Sequence, residues 1–237
     1  MSVLGYYVTL DRFGLEELRR GGDLQVKDGD LAVTADGDLQ FGDTKFNGLF
    51  RFVERWRINQ PTLDELFESM LVTSQRLQDV LQARKQGIGP SLSRDAAAFH
   101  EETESIGDYE SGSSVFAGAI LVVLNNLLQR LKKDLGAPEH RWKSAEPKIG
   151  GYSIGAVFSA AAANFRHYDE WARTRSINPT QSVSIEVLCA ILARPVVTNG
   201  FAAIRTNVCR EVLMTVSGGS VDRLHEVTFD YAKALSK

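Results

Sequence analysis

Between residues 115 and 128 the apolar side chains lie nearly all round a helix instead of along one stripe. Such a segment is stable only inside other apolar elements, so it marks the centre of a larger helical body. Ser113 or Ser114 can cap its first turn, and Gly136 with Pro138 closes it after Leu135. Asn125 and Asn126 interrupt the run, which reads as too short and too polar to span a bilayer.

The flanking sequence supplies helices to surround it. Leu49, Phe50, Val53 and Trp56 share one face, which the pattern ends before Asn59 and Pro61. Thr62 and Glu65 are spaced as a capping box for a second helix, with Leu63, Leu66, Phe67, Met70, Leu77, Val80 and Leu81 as its stripe and Gly87 as its stop. Residues 86–114, rich in Gly, Ser and acids, read as an exposed excursion or mobile loop with a short helix over 93–104. A second polar connection covers 137–151. Helices follow over 152–173, 181–193, 199–216 and 220–235, punctuated by Asn178-Pro179-Thr180, Arg194-Pro195 and Gly218-Gly219-Ser220.

The N-terminal part is different. Gly22-Asp23-Leu24, Gly29-Asp30-Leu31 and Gly37-Asp38-Leu39 repeat, and each opens an alternation: Leu24/Val26, Leu31/Val33 and Leu39/Phe41. A period of two fits half-buried strands, and Asp28-Gly29 and Asp36-Gly37 suit tight hairpins. Residues 6–10 suit a further strand, and 15–20 one or two helical turns. The expected fold is mainly α, an antiparallel helical bundle with a small N-terminal antiparallel β meander. It divides into a β-rich segment over 1–45 and a helical domain over 46–237. Asp28/Asp30 and Asp36/Asp38 lack the distal bidentate carboxylate a calcium loop needs, and turn chemistry accounts for them.

A net charge of -3 provides no global basic field, which argues against tight nonspecific duplex binding and leaves room for a local basic patch. Cys189 and Cys209 fall on separate apolar helices without metal-type spacing and read as buried thiols. The chain does not open on a basic stretch followed by an apolar one, so the cytoplasm is the expected compartment. No membrane contact, metal or cofactor is expected.

Chemistry concentrates in residues 163–171. On a helix, Ile154, Val157, Phe158, Ala161, Phe165, Tyr168 and Ala172 trace a core stripe, while Asn164, His167 and Trp171 fall on a neighbouring face and Arg166, Asp169, Glu170 and Arg173 on the other flank. In a functional reading His167 is a general base on a phosphodiester and Arg166 stabilises phosphate charge. Asn164, Asp169 and Glu170 orient them, and Trp171 and Arg173 contact substrate. In a structural reading Arg166/Glu170 and Asp169/Arg173 are i,i+4 ion pairs on a solvated face and Trp171 packs at the core edge. The segment around Trp142, with His140, Arg141, Lys143 and Lys148, either touches RNA or covers the bundle. His100, Glu101 and Glu104 read as a solvated acidic face before a metal site, and His225 reads as exposed.

The run from Ala162 to Trp171 resembles a motif in uncharacterised bacterial helical proteins related to the HEPN group. That resemblance implies a four- or five-helix domain, metal-independent RNA cleavage in toxin or phage-defence systems, and a homodimer. The group's catalytic pattern is Arg, four to six residues, then His. Arg166 and His167 are adjacent and depart from it, whereas Arg94 and His100 match, with Asp95 following the arginine. Two expectations stand side by side: a HEPN-like protein acting on or binding RNA, catalytic only if Arg and His converge across protomers, and a non-catalytic scaffold that docks a partner protein. An electropositive pocket at His167 favours the first, and a dry apolar patch at the meander favours the second.

Overall fold

The computed structural model describes residues 3–34, 37–173, 178–198, 201–202 and 204–237. It is mainly α-helical with a small antiparallel β component, as expected. The frame is an antiparallel hairpin of two long helices, α2 (Thr44–Lys85) and α3 (Ala96–Asp134), preceded by α1 (Val3–Phe13). Asp43 caps α2 by accepting from Phe46 N at 2.7 Å, and Asp95 caps α3 by accepting from Ala98 N at 3.0 Å.

Both long helices run through positions the pattern treated as breaks. Pro61 lies inside α2. Leu49, Trp56, Leu63, Met70 and Leu77, each seven residues after the last, are all buried, so one apolar seam keeps its register past the proline. Burial along that seam offsets the roughly 3 kcal/mol an interior proline costs. In α3 the expected excursion shrinks to residues 86–95. Phe99, Glu102, Ile106, Tyr109 and Ser113 recur at a 3-4-3-4 spacing, all half-buried or buried, which carries the helix through Gly107 and Gly112. By length and composition α3 is apolar enough to cross a membrane, and 56% of that apolar window is buried inside the fold, as in a core helix.

The rest of the chain packs on this hairpin: α4 (Glu139–Ser144), the hairpin β3 (Lys148–Ile149) with β4 (Tyr152–Ser153), α5 (Ile154–Arg173), α6 (Pro179–Ile191), α7 (Cys209–Ser217) and α8 (Val221–Leu235). Asn178 and Gln181 form a reciprocal capping box with Pro179 at its start, so the expected break opens α6. The helix expected over 199–216 begins only at Cys209, behind a hairpin of β5 (Val197–Thr198) and β6 (Phe201–Ala202). Residues 199, 200 and 203 of that expectation lie outside the described residues.

Two glycines set the helix spacing. A Cβ on Gly118 of α3 would lie 2.0 Å from the Phe165 ring of α5, and one on Gly155 would lie 2.3 Å from the Tyr231 hydroxyl. Trp142 is buried at that second contact, where its carbonyl accepts from Tyr231 Oη at 2.9 Å and Ser153 Oγ at 2.8 Å. Trp142 itself therefore packs in the bundle, while His140, Lys143 and Lys148 around it are exposed.

Residues 6–10 belong to α1 and not to a strand. Tyr6, Leu10 and Phe13 repeat at helical spacing and pack on the body, where the Phe13 and Phe229 rings stack 3.7 Å apart. A 3-10 helix follows over Glu16–Arg20. The three repeats then form a closed ring and not an open meander. Val26 pairs with Leu31, Val33 with Leu39 and Leu24 with Phe41, all antiparallel, with β1 (Val26–Lys27) and β2 (Asp30–Leu31) as the longest pairing. Gln25 N donates to Gln40 O, Gln40 N to Ala32 O and Ala32 N to Gln25 O, so the same position of each repeat closes the cycle. Asp36 of the expected second hairpin lies outside the described residues.

The pleat of this ring is inverted. Leu24, Val26, Leu31, Val33 and Leu39 are exposed, Val26 by 66%, while Gln25, Ala32 and Gln40 are half-buried. The alternation is real, but its apolar set faces out, apart from Phe41, which is half-buried with its ring 5.6 Å from that of Phe50.

Candidate functional site

The residues singled out on α5 divide among three environments. His167 and Glu170 face a hollow of about 240 Å³ between α5 and the start of α6, floored by Ala163 and the edge of Trp171 and rimmed by Asn178 and Gln181. His167 Nδ1 lies 3.2 Å from Glu170 Oε2, and both side chains are exposed. This pairing turns Nδ1 toward the carboxylate while the ring stays open to solvent.

Arg166, Asp169 and Arg173 form the second group, on the outward face of the helix. Arg173 and Asp169 make a loose i,i+4 pair at 3.9 Å. Arg166 is exposed but absent from the lining of the His167 hollow, since adjacent residues on a helix point about 100° apart. The hollow thus combines imidazole and carboxylate without an arginine among its described lining.

Asn164 and Trp171 form the third, and both have structural work. Asn164 is fully buried: its Nδ2 donates to Thr206 O at 3.0 Å and its Oδ1 accepts from Val208 N at 2.9 Å. It clamps the approach to α7 against α5 and does not face the hollow, which corrects its expected role beside His167. Trp171 is 4% exposed and packs in the core, so it offers only an edge to a ligand.

Arg94 and His100, the spacing that matches the HEPN pattern, are both exposed at the far end of the α2–α3 hairpin. No residue from 78 to 112 is buried, so that end is a solvated arm. Arg84 holds it together by lying over the Phe99 ring at 4.5 Å and pairing with Glu102 at 3.6 Å. Among the described residues no three His, Cys, Asp or Glu side chains gather to hold a metal ion, His100, Glu101 and Glu104 included. Both cysteines are free and buried, and burial pushes the Cys209 thiol up to about 12, away from nucleophilic use.

Two further features escaped the sequence pattern. His225 is not exposed: it is 1% accessible and lies beside Asp64, whose side chain is partly exposed. Tyr168, read as a core residue, is 40% exposed and borders a second hollow, on the other flank of α5 from His167. Arg210 lines that hollow from α7, forty-two positions along the chain, and no local spacing links the two.

No family model matches the chain, and no curated protein or solved structure matches it.

Proposed function

We propose that the chain is a non-catalytic interaction module whose contact surface is the N-terminal β ring. The observation that carries this reading is the inverted pleat, which puts Leu24, Val26, Leu31, Val33 and Leu39 in solvent on one small unit. Apolar groups gathered outside a core are the usual mark of a partner surface. Asp23, Asp28 and Asp30 are exposed around them with Lys27 as the nearby cation, so the partner is a protein surface with an apolar centre and a basic rim.

The test is affinity capture from the source cell with the native chain and a Val26→Asp/Val33→Asp variant, across a salt series. The reading requires a partner that the variant fails to retain and that salt weakens. A partner held equally by both chains would remove the ring from the contact.

A second reading keeps the HEPN-like expectation of RNA cleavage, and the solvent-open pairing of His167 with Glu170 favours it. It needs an arginine brought to the hollow by a second protomer. Incubating the native protein and His167→Ala with total RNA and chelator separates the two readings. Cleavage by the native chain that the variant loses would replace the interaction module with a nuclease.

A further inference from the structure

On α3, Gly107, Glu110, Ser111 and Ser114 fall at i, i+3, i+4 and i+7 and floor the second hollow, whose volume is about 300 Å³. Tyr168 of α5 and Arg210 of α7 line it as well. This volume lies at the lower end of ligand clefts, roughly 300–1,000 Å³.

The walls are held rigidly. Asn164 fixes Thr206 and Val208 from below, and Asn207 spans the gap by donating to Ser114 O at 3.4 Å while accepting from Cys209 N at 3.0 Å. A cleft built this way loses little freedom when a ligand arrives.

Its charged groups are of both signs. Glu211 is committed to Arg194. Arg210, half-buried, has no carboxylate partner among the described residues, and Glu110, exposed on α3, has no cationic one. The two share the cleft without pairing with each other. A dianionic phosphate would satisfy Arg210 but confront Glu110, and a neutral ligand would satisfy neither. A small molecule carrying one charge of each sign satisfies both.

We infer that this cleft binds a small zwitterion of the α-amino-acid type, with its carboxylate on the Arg210 guanidinium and its ammonium on the Glu110 carboxylate. Tyr168 and Ser111 line the same cleft and add hydroxyl groups to it. The inference is independent of the β ring and of His167.

The experiment is thermal shift and calorimetry with the proteinogenic α-amino acids, one at a time at millimolar concentration. Inorganic phosphate, adenosine monophosphate, and the amide and decarboxylated amine of the best amino acid serve as comparisons. At least one amino acid should raise Tm saturably while its amide and amine do not, and Arg210→Met and Glu110→Gln should each weaken binding roughly tenfold or more. Gly107→Leu guards against misfolding: a Cβ there meets nothing within 4 Å, and leucine favours the helix. This variant should melt at or above the native temperature and no longer bind. A flat response to every amino acid would overturn the inference. So would a stronger response to phosphate or the nucleotide, or native-like binding by Gly107→Leu.

Discussion

Nε2 of His225, on α8, lies 3.1 Å from Oδ1 of Asp64, on α2, with the imidazole 1% exposed. The approach is close but poorly aligned, since neither ring nitrogen nor that oxygen completes a hydrogen bond. The Trp56 ring meets the imidazole edge-on at 4.7 Å. Burial holds the His225 pKa below its usual value, opposed by the Asp64 carboxylate, with Arg12 adding to the depression and Asp222 resisting it.

Stability should therefore depend on pH through this residue. The unfolded chain takes up a proton near the ordinary value of 6.5, whereas the folded chain does so only at lower pH. The contribution is complete above 6.5 and is lost as pH falls from there through the folded value. Urea unfolding across this range should show a decline that His225→Phe lacks. Parallel curves for the two proteins would refute it.

Gly118→Ala should cost about 1–3 kcal/mol, because its new methyl falls on the Phe165 ring and overpacks the α3–α5 crossing. Adding Phe165→Leu should recover part of the loss, giving a non-additive double-mutant cycle in denaturant midpoints. Additive losses would mean that the two positions do not meet.

Asn164→Ala should lower stability by roughly 2–5 kcal/mol, since the Thr206 carbonyl and the Val208 amide both lose a buried partner. Asn164→Asp keeps an acceptor for the Val208 amide but loses the donor, so it should still fall below native. The exposed His167→Ala should stay within about 0.5 kcal/mol of native. Chemical denaturation of the three variants checks the ordering, and a His167 cost matching that of Asn164 would contradict it.

Much of the fold was legible because helical periodicity survives in a single chain. The buried run around Leu121 and the boundaries of α5 and α8 follow from side-chain spacing and caps. The long hairpin did not follow, because Pro61, Gly107 and Gly112 are local breakers overruled by a seam formed only when α2 and α3 lie side by side. The candidate site was half legible. His167 and Glu170 sit three apart on one helix, a relation that spacing reveals, whereas Arg210 comes to the same hollow as Tyr168 only through the turn that Asn164 ties down. His225 was misread because its neighbour Asp64 is distant in the chain, and nothing local announces that a polar ring is enclosed.

Pro61→Ala tests that overruling directly. If the seam tolerates the proline at a cost, restoring the amide should stabilise the chain by about 1–3 kcal/mol and raise helical ellipticity slightly. A loss of stability would mean that the proline's shape is itself needed in α2.

The bonds linking Gln25, Ala32 and Gln40 use each donor and each acceptor of that cycle once, so no repeat can be added or removed with all three bonds intact. A fourth copy inserted between them would find no vacancy, and excising one would strand an amide and a carbonyl together. Duplication and deletion, the ordinary ways a tandem array drifts in length, would each break at least one of these three bonds.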